Sequence, residues 1–175
     1  MARQVAALDT TTISPVLVTL FSELVHGAPD AAGGAFILNT GDAGLLRSLD
    51  KLSAAEASHA VHGGATIAAH AQHLRYGLSL MNRWAREGGN PFADATWDAA
   101  WKISSVDDAQ WEEIRVGLRH EAEQWLDVLK TPREVVPIEL TGMVASVAHL
   151  AYHLGAMRQI SREARGPREG TFPAA

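Results

Sequence analysis

The sequence predicts an all-α protein, a four-helix bundle with short extra helices in the connections between its long helices. Four long segments carry apolar residues at helical spacing, and each is bounded by a capping residue or by Gly and Pro. No segment has a convincing alternation of apolar and polar residues, the pattern that indicates a half-buried strand. Amphipathic helices without a sheet bury their apolar faces against one another, and this arrangement is a helical bundle.

The first predicted helix takes Ser14 as its N-cap, with Pro15 in the first turn and Gly27 just past the end. A Gly-rich loop and two short helical pieces follow, the second of them capped by Ser53. The apolar stripe of the first helix consists of Val16, Leu17, Leu20, Phe21, Leu24 and Val25, and that of the first short piece of Leu45, Leu46, Leu49 and Leu52.

The second long helix is predicted to have Thr66 as its N-cap and to run to about Glu87, where the sequence Gly-Gly-Asn-Pro stops it. The connection that follows carries Trp97 and Trp101, four residues apart. Two indoles at this spacing indicate an ordered loop or a helical turn and not a flexible linker.

The third long helix is predicted to be capped by Ser105 or Asp107 and to end at Thr131, which precedes a proline. Its predicted core stripe contains Trp111, Ile114, Leu118, Trp125 and Leu129.

The fourth long helix is predicted to follow an extended connection, residues 135–140, in which Pro137 weakens any regular pattern. Thr141 is the predicted N-cap of this helix. We expect it to reach Arg165, because basic residues in the last turns suit a helix C-terminus and Gly166 follows.

Composition limits the classes of protein that this chain can belong to. It has 175 residues, 47% of them hydrophobic, so we expect residues 1–165 to form one domain and residues 166–175 a poorly ordered tail. The net charge of −5 and the pI near 5.9 disfavour a nucleic-acid partner. The apolar runs are too short for a membrane span. With no cysteine and no recognisable signal peptide, we expect a cytoplasmic location.

Eight histidines and no cysteine direct attention to a metal site with histidine ligands. His149 and His153 lie at positions i and i+4 of the fourth helix, which puts their Cβ atoms about 5–6 Å apart on one face. Both imidazoles can therefore reach one ion. The intervening Leu-Ala-Tyr lacks the Glu of the HExxH zinc-protease motif. Mostly small residues share the stripe and leave room for a cavity: Gly142, Ser146, Ala156 and Ile160.

A catalytic transition-metal site usually takes three protein ligands and keeps one position open. The second long helix offers His70 and His73, which point about 60° apart because they are three residues apart on a helix. His73 lies beside Leu74 in the most apolar part of that helix, so we favour His73 as the third ligand and place His70 at the edge of the site. The other histidines are predicted to have no functional role: His26, His59, His62 and His120.

Two segments resemble the DinB/YfiT-like superfamily of bacterial four-helix bundles, namely residues 67–78 (IAAHAQHLRYGL) and residues 149–160 (HLAYHLGAMRQI). A helix with His, three residues, His, then Gly and then Arg-Gln-Ile is characteristic of that family. The resemblance covers the chain from the first helix to about residue 165. It implies an up-down-down-up topology with a long crossover between the second and third helices. It also implies that His73, His149 and His153 bind one divalent ion, zinc or nickel.

The resemblance also suggests a chemistry. Characterised relatives include thiol-dependent transferases and isomerases, in which bacillithiol, mycothiol or glutathione is thought to bind the metal as a thiolate. It therefore implies a transferase or isomerase that uses an external low-molecular-weight thiol on a small-molecule substrate, with a homodimer as a further expectation. The alternatives are a hydrolase with a metal-activated water and a non-enzymatic binding or stress-response bundle.

Other side chains are weaker candidates for a functional role. Arg158 can orient an anionic substrate or pair with a Glu, and Glu23 is a candidate for the carboxylate that a hydrolase uses as a proton shuttle. Tyr76 is a second-tier candidate, and Tyr152 is expected to pack or hydrogen-bond within the bundle. Three tryptophans either line the mouth of a pocket or, as we expect, pack in the core: Trp97, Trp101 and Trp111.

Overall fold

Seven helices account for most of residues 7–29 and 34–167, which are the residues that the computed structural model describes. Within these residues the prediction of a mostly helical protein is confirmed. The predicted tail lies largely outside them, since residues 168–175 are not described. The helices are α1 (Ser14–His26), α2 (Gly44–Asp50), α3 (Ala54–Ala57), α4 (Ile67–Glu87), α5 (Asp98–Trp101), α6 (Asp108–Lys130) and α7 (Pro137–Ile160).

Side-chain caps fix the starts of three helices where the sequence predicts them. The Thr66 hydroxyl accepts a hydrogen bond from the Ala69 backbone N–H at 3.1 Å, at the start of α4. The Asp107 carboxylate accepts from the Gln110 N–H at 2.8 Å, and the Gln110 side chain accepts from the Asp107 N–H at 2.9 Å. Ser53 caps α3 in the same reciprocal way. Each cap satisfies backbone donors that have no partner within the helix.

The boundaries of α1 and α7 differ from the prediction. Helix α1 includes Ser14 and has Ile13 at the N-cap position, one residue earlier than predicted. The extended connection predicted over residues 135–140 is confirmed only for residues 135 and 136, and the cap at Thr141 is wrong, because α7 already begins at Pro137. Proline fits the first turn of a helix, where its missing N–H is not needed. The helix also ends at residue 160, short of the predicted 165.

One short strand pairing was not predicted. Strand β1 (Leu8–Asp9) pairs antiparallel with β2 (Glu134–Val135). Next to it, the Thr10 hydroxyl donates to the Arg133 carbonyl at 3.0 Å. The pairing ties the segment before α1 to the segment before α7, and thereby fixes the start of the helix that carries His149 and His153.

The long helices pack against one another around a single core. Both α1 and α4 contact both α6 and α7, and the short α5 packs on α4. Val16, predicted on the core stripe of α1, is instead exposed. Burial of each large apolar side chain stabilises the fold by about 1.5–3 kcal/mol. The largest fully buried side chains include Phe21, Leu24, Leu74, Leu118, Trp125, Leu129 and Leu150.

None of the helices among the described residues combines the length and the apolar character that crossing a bilayer requires.

Candidate metal centre

The histidines that the sequence singles out meet between α4 and α7. The Nε2 atom of His149 lies 3.0 Å from Nε2 of His73 and 2.9 Å from Nε2 of His153. One ring nitrogen from each of the three residues lies within 4.8 Å of the others, close enough to hold one metal ion. Two of them share a face of α7 because they are four residues apart. The third comes from α4, which packs against that face.

The separations between these nitrogens suit a bound ion. Three imidazole nitrogens that bind one tetrahedral zinc ion at about 2.0–2.1 Å lie about 3.3 Å apart. The two measured separations, 3.0 and 2.9 Å, need to widen only slightly to reach that value. Imidazole is also a ligand that zinc and nickel accept readily.

Burial keeps the three imidazoles in the neutral form that a metal requires. Burial, together with neighbouring His149 and His70, lowers the pKa of His73 to about 4. Burial and the other three histidines lower the pKa of His153 to about 3. Burial also lowers the pKa of His149. A neutral imidazole has one nitrogen with a free lone pair, and three such lone pairs can face the same point.

His70 belongs to the group but lies behind the ligands. Its Nδ1 atom is 2.8 Å from Nδ1 of His153. If Nε2 of His153 presents its lone pair to an ion, its Nδ1 must carry the proton and donate it to His70. A partner of this kind fixes the tautomer and the ring orientation of a metal ligand. We call His70, His73, His149 and His153 the histidine cluster.

Trp101 covers the histidine cluster from the α5 side. Its ring stacks on His73 with centroids 4.4 Å apart, and it also contacts His70 and His153 at 5.4 and 5.8 Å. The Nδ1 atom of His73 is buried and has no hydrogen-bond partner among the described residues, so this stacking holds the ring. The helical turn predicted around Trp97 and Trp101 is confirmed as α5.

The tryptophans divide between the two roles that the sequence left open. The preferred interpretation, core packing, is wrong for Trp97 and Trp101. Trp97 lines the cavity beside the histidines, and Trp101 remains 41% exposed above them. Core packing is confirmed for Trp111, which is buried and donates its indole N–H to the Leu52 carbonyl at 2.8 Å. Periodicity cannot separate these cases, because the first two lie in an irregular connection.

A cavity of about 780 Å³ adjoins His73 and His149. The prediction that small residues on the α7 stripe leave space is confirmed for Gly142 and Ser146, which line it, whereas Ala156 and Ile160 do not. Its other lining residues are mostly apolar, and they include Leu74, Gly77, Leu78, Met81, Trp84, Phe92, Trp97, Ile138, Ala145 and Leu150.

Glu23 has a structural role, which excludes it as the carboxylate of a hydrolytic site. Its buried carboxylate accepts hydrogen bonds from the backbone N–H groups of residues 36, 37 and 38, at 2.9, 2.8 and 2.6 Å. It does not line the cavity. Among the described residues no Asp or Glu lines it.

Arg158 and Tyr76 have hydrogen-bond partners outside the site, whereas the Tyr152 ring lies edge-on to His153 with centroids 5.0 Å apart. Arg158 donates to the buried Asp42 carboxylate at 2.7 Å, so it forms an ion pair as one alternative predicted, although the partner is an Asp and not a Glu. Tyr152 is 70% exposed, and the prediction that it lies within the bundle is wrong. Tyr152 faces solvent although the candidate ligands His149 and His153 lie three residues before it and one residue after it on α7. The Tyr76 hydroxyl accepts from the Thr96 N–H at 3.0 Å and holds the connection that carries Trp97.

The four histidines predicted as bystanders lie outside the cluster. His26 is half-buried near the end of α1, and its Nε2 lies 3.4 Å from a Glu123 oxygen. The other three are exposed: His59, His62 and His120.

Comparison with known proteins returned no relative, since no family model, no curated protein and no solved structure matches the chain. The resemblance to DinB/YfiT-like proteins therefore depends on its two helical motifs. The chemistry of the site must therefore be inferred from the residues that form it.

Proposed function

We propose that this protein is a DinB/YfiT-like metal-dependent enzyme, in which His73, His149 and His153 hold one divalent transition-metal ion. Its reaction is a transfer or isomerisation that uses an external low-molecular-weight thiol. One observation carries the proposal: three neutral imidazole nitrogens converge next to a large apolar cavity. Three protein ligands leave an ion a further position for a small molecule, as catalytic metal sites do.

The proposed topology is the up-down-down-up bundle of that family. Two features support it. The contacts of α1 and α4 with both α6 and α7 are those of four helices around one core. The connection between α4 and α6, residues 88–107, has the length that a crossover between the second and third long helices needs.

The thiol-dependent reaction suits the residues present. A divalent ion supplies positive charge that deprotonates a coordinating thiol at neutral pH. The chain has no cysteine, so the thiol must come from outside. The histidines hold the ion, Trp97 and Trp101 limit the access of water from the α5 side, and the adjoining cavity holds the second substrate.

The hydrolase is the weaker alternative. Metal-assisted hydrolysis usually also uses a nearby carboxylate to move a proton. Among the described residues no acidic side chain lines the cavity, and Glu23 is occupied by backbone donors. The thiol route needs no such group, because the thiolate is the nucleophile.

Zinc or nickel as the ion, a small-molecule substrate and a homodimer stay predictions. So do the cytoplasmic location and the absence of a nucleic-acid or membrane partner.

The proposal is tested by metal analysis and by turnover. Protein purified without an affinity tag should contain about one zinc or nickel ion per chain, and the variant His149→Ala/His153→Ala should contain none. The variant His59→Ala/His120→Ala is the matched control, since both residues are exposed. Turnover of a panel of electrophiles should require an added thiol. Equal metal content in both variants would refute the site, and thiol-independent ester cleavage would refute the reaction.

A further inference from the structure

The cavity is elongated, and the histidines lie at one end of it. A Cβ atom added to Gly77 of α4 would lie 3.6 Å from the His149 ring, whereas one added to Gly142 of α7 would lie 2.9 Å from the Trp84 ring. The two helices therefore run in opposite directions along the cavity. One end is formed by His73 and His149, and the other by Trp84 and Gly142.

The length of the cavity follows from the helix that lines it. Eleven residues separate His73 from Trp84 on α4, which corresponds to about 16 Å at 1.5 Å per residue. Small residues on the facing helix keep this space open. At Gly142, any side chain would press into Trp84 and Met81, since an added Cβ would come within 2.9 and 3.2 Å of their side chains.

The wall of the cavity is uncharged away from the histidines. No Lys, Arg, Asp or Glu lines it within the part of the chain that the structure describes. Its polar side chains have hydrogen-bond partners in the protein, and Ser146 also accepts from the indole N–H of Trp125 on α6 at 2.9 Å. Thr141 donates to a backbone carbonyl at 2.9 Å, Ser146 donates to another at 2.7 Å, and the Asn90 side-chain oxygen accepts from the Phe92 N–H at 3.1 Å.

We propose that this cavity binds an elongated, uncharged and mostly apolar molecule, with one polar end at the histidines and an alkyl or aromatic body extending toward Trp84. The inference rests on the proposed metal-dependent function, and it names the class of the second substrate. Burial of a charged group there would lack any compensating partner. The carboxylate-bearing part of a thiol such as glutathione is therefore excluded from this cavity, which is left to the apolar co-substrate.

A series of alkyl hydroxamic acids tests this inference, because the hydroxamate group binds zinc and the tail samples the cavity. Binding to the zinc-loaded protein is measured by calorimetry. Each buried methylene should tighten binding about fourfold, and the eight-carbon member should bind at least about 100-fold more tightly than acetohydroxamic acid. The eight-carbon member with a terminal carboxylate should lose most of this gain. Affinity independent of tail length, or tighter binding of the carboxylate, would overturn the inference.

Two variants of α7 localise the effect. Ala145 and Ala148 are both exposed residues of α7, and of the two only Ala145 lines the cavity. Ala145→Leu should weaken the eight-carbon hydroxamate about tenfold or more and leave acetohydroxamic acid unchanged. Ala148→Leu should change neither. Equal effects of the two variants would contradict the assignment.

An experiment on the metal-free protein distinguishes failure of the proposed metal site from failure of the proposed apolar cavity. Octan-1-ol is titrated into chelator-treated protein while tryptophan fluorescence is recorded. If zinc does not bind but octanol does, and Ala145→Leu weakens it, the cavity is assigned correctly and the metal-dependent function is wrong. If zinc binds, but octanol does not bind and the eight-carbon hydroxamate binds no more tightly than acetohydroxamic acid, the apolar substrate class is wrong.

Discussion

Two buried polar regions of this protein satisfy their polar atoms in different ways. The loop anchors, Glu23 and Asp42, hold the backbone N–H groups of residues 36–38 and of Gly44. Glu23 accepts three backbone N–H groups, and Asp42 accepts from Arg158 and from the Gly44 N–H at 2.7 and 2.8 Å. Carboxylate oxygens thus face donors, and burial is compensated inside the protein.

The three candidate ligands of the histidine cluster lack this complementarity at the point where their Nε2 atoms meet. Nitrogens of the same kind face one another, with His149 Nε2 3.0 Å from His73 and 2.9 Å from His153. A neutral imidazole nitrogen either donates or accepts. In the tautomers that metal binding requires, all three Nε2 atoms present lone pairs to one point, and no donor lies between them. Burial of polar groups therefore does not distinguish structure from function here. What distinguishes them is whether the protein itself supplies the partners.

The largest effect is expected from removal of the ligands. His149→Ala/His153→Ala should lower zinc affinity at least about 100-fold, since loss of a group that only hydrogen-bonds to a ligand typically lowers it 10–100-fold. The metal-free variant should unfold at the same denaturant concentration as the metal-free parent or a higher one, because buried polar rings are removed. Competition titration with a chelator measures the affinity. Unchanged affinity would show that the cluster is another internally satisfied polar group.

The loop anchors should respond in the opposite way. Glu23→Gln turns an amide N–H₂ toward backbone donors, and we expect it to lower the free energy of unfolding by about 2–4 kcal/mol. Zinc affinity should stay within about twofold of the parent. Urea unfolding of the metal-free protein measures the free energy of unfolding, and the chelator titration measures the zinc affinity. A large loss of zinc affinity in a folded Glu23→Gln protein would break the comparison.

A pH change should show the buried histidines directly, through the stability of the metal-free protein. The pKa of His73 is about 4 and that of His153 about 3 in the fold, below the ordinary value of 6.5. Between these values the unfolded chain binds more protons than the folded one, so stability falls as pH drops below about 6.5. Chelator-treated protein should lose stability from pH 6.5 to 5.5 in urea unfolding. The loss should be smaller in His149→Ala/His153→Ala, and an equal loss would contradict this account.

The smallest effect is expected from His70, which acts through His153. His70→Phe removes the group that receives the Nδ1 proton of His153, and should weaken zinc binding about tenfold. His70→Gln should restore part of this affinity, because its amide oxygen can accept the same hydrogen bond. If both variants bind zinc as the parent does, His70 has no positioning role.

Local signals in the sequence predicted much of the fold. Thr66 and Asp107 marked the starts of α4 and α6 because capping residues act within one turn. The start of α7 was missed because Pro137 was interpreted as a chain breaker, although proline also suits a first turn. The pairing of Leu8–Asp9 with Glu134–Val135 has no periodic signal, since each strand has two residues and their partners lie far apart in the chain.

The candidate site also combines features that local sequence signals predicted with features that depend on the tertiary structure. His149 and His153 were predicted from helical spacing, and His73 from its apolar surroundings, and the structure brings the three together. The position of Trp101 over the cluster depends on how the connection after α4 folds back, which spacing does not encode. The role of Glu23 depends on a loop thirteen to fifteen residues away in sequence.

X-ray absorption at the zinc edge, on protein loaded with one zinc ion per chain, tests the central claim most directly. We expect three imidazole nitrogens at about 2.0–2.1 Å, together with one oxygen ligand from bound water. In His153→Ala the imidazole count should fall. A spectrum with oxygen ligands alone, or one that the substitution leaves unchanged, would contradict the claim that these histidines hold the ion.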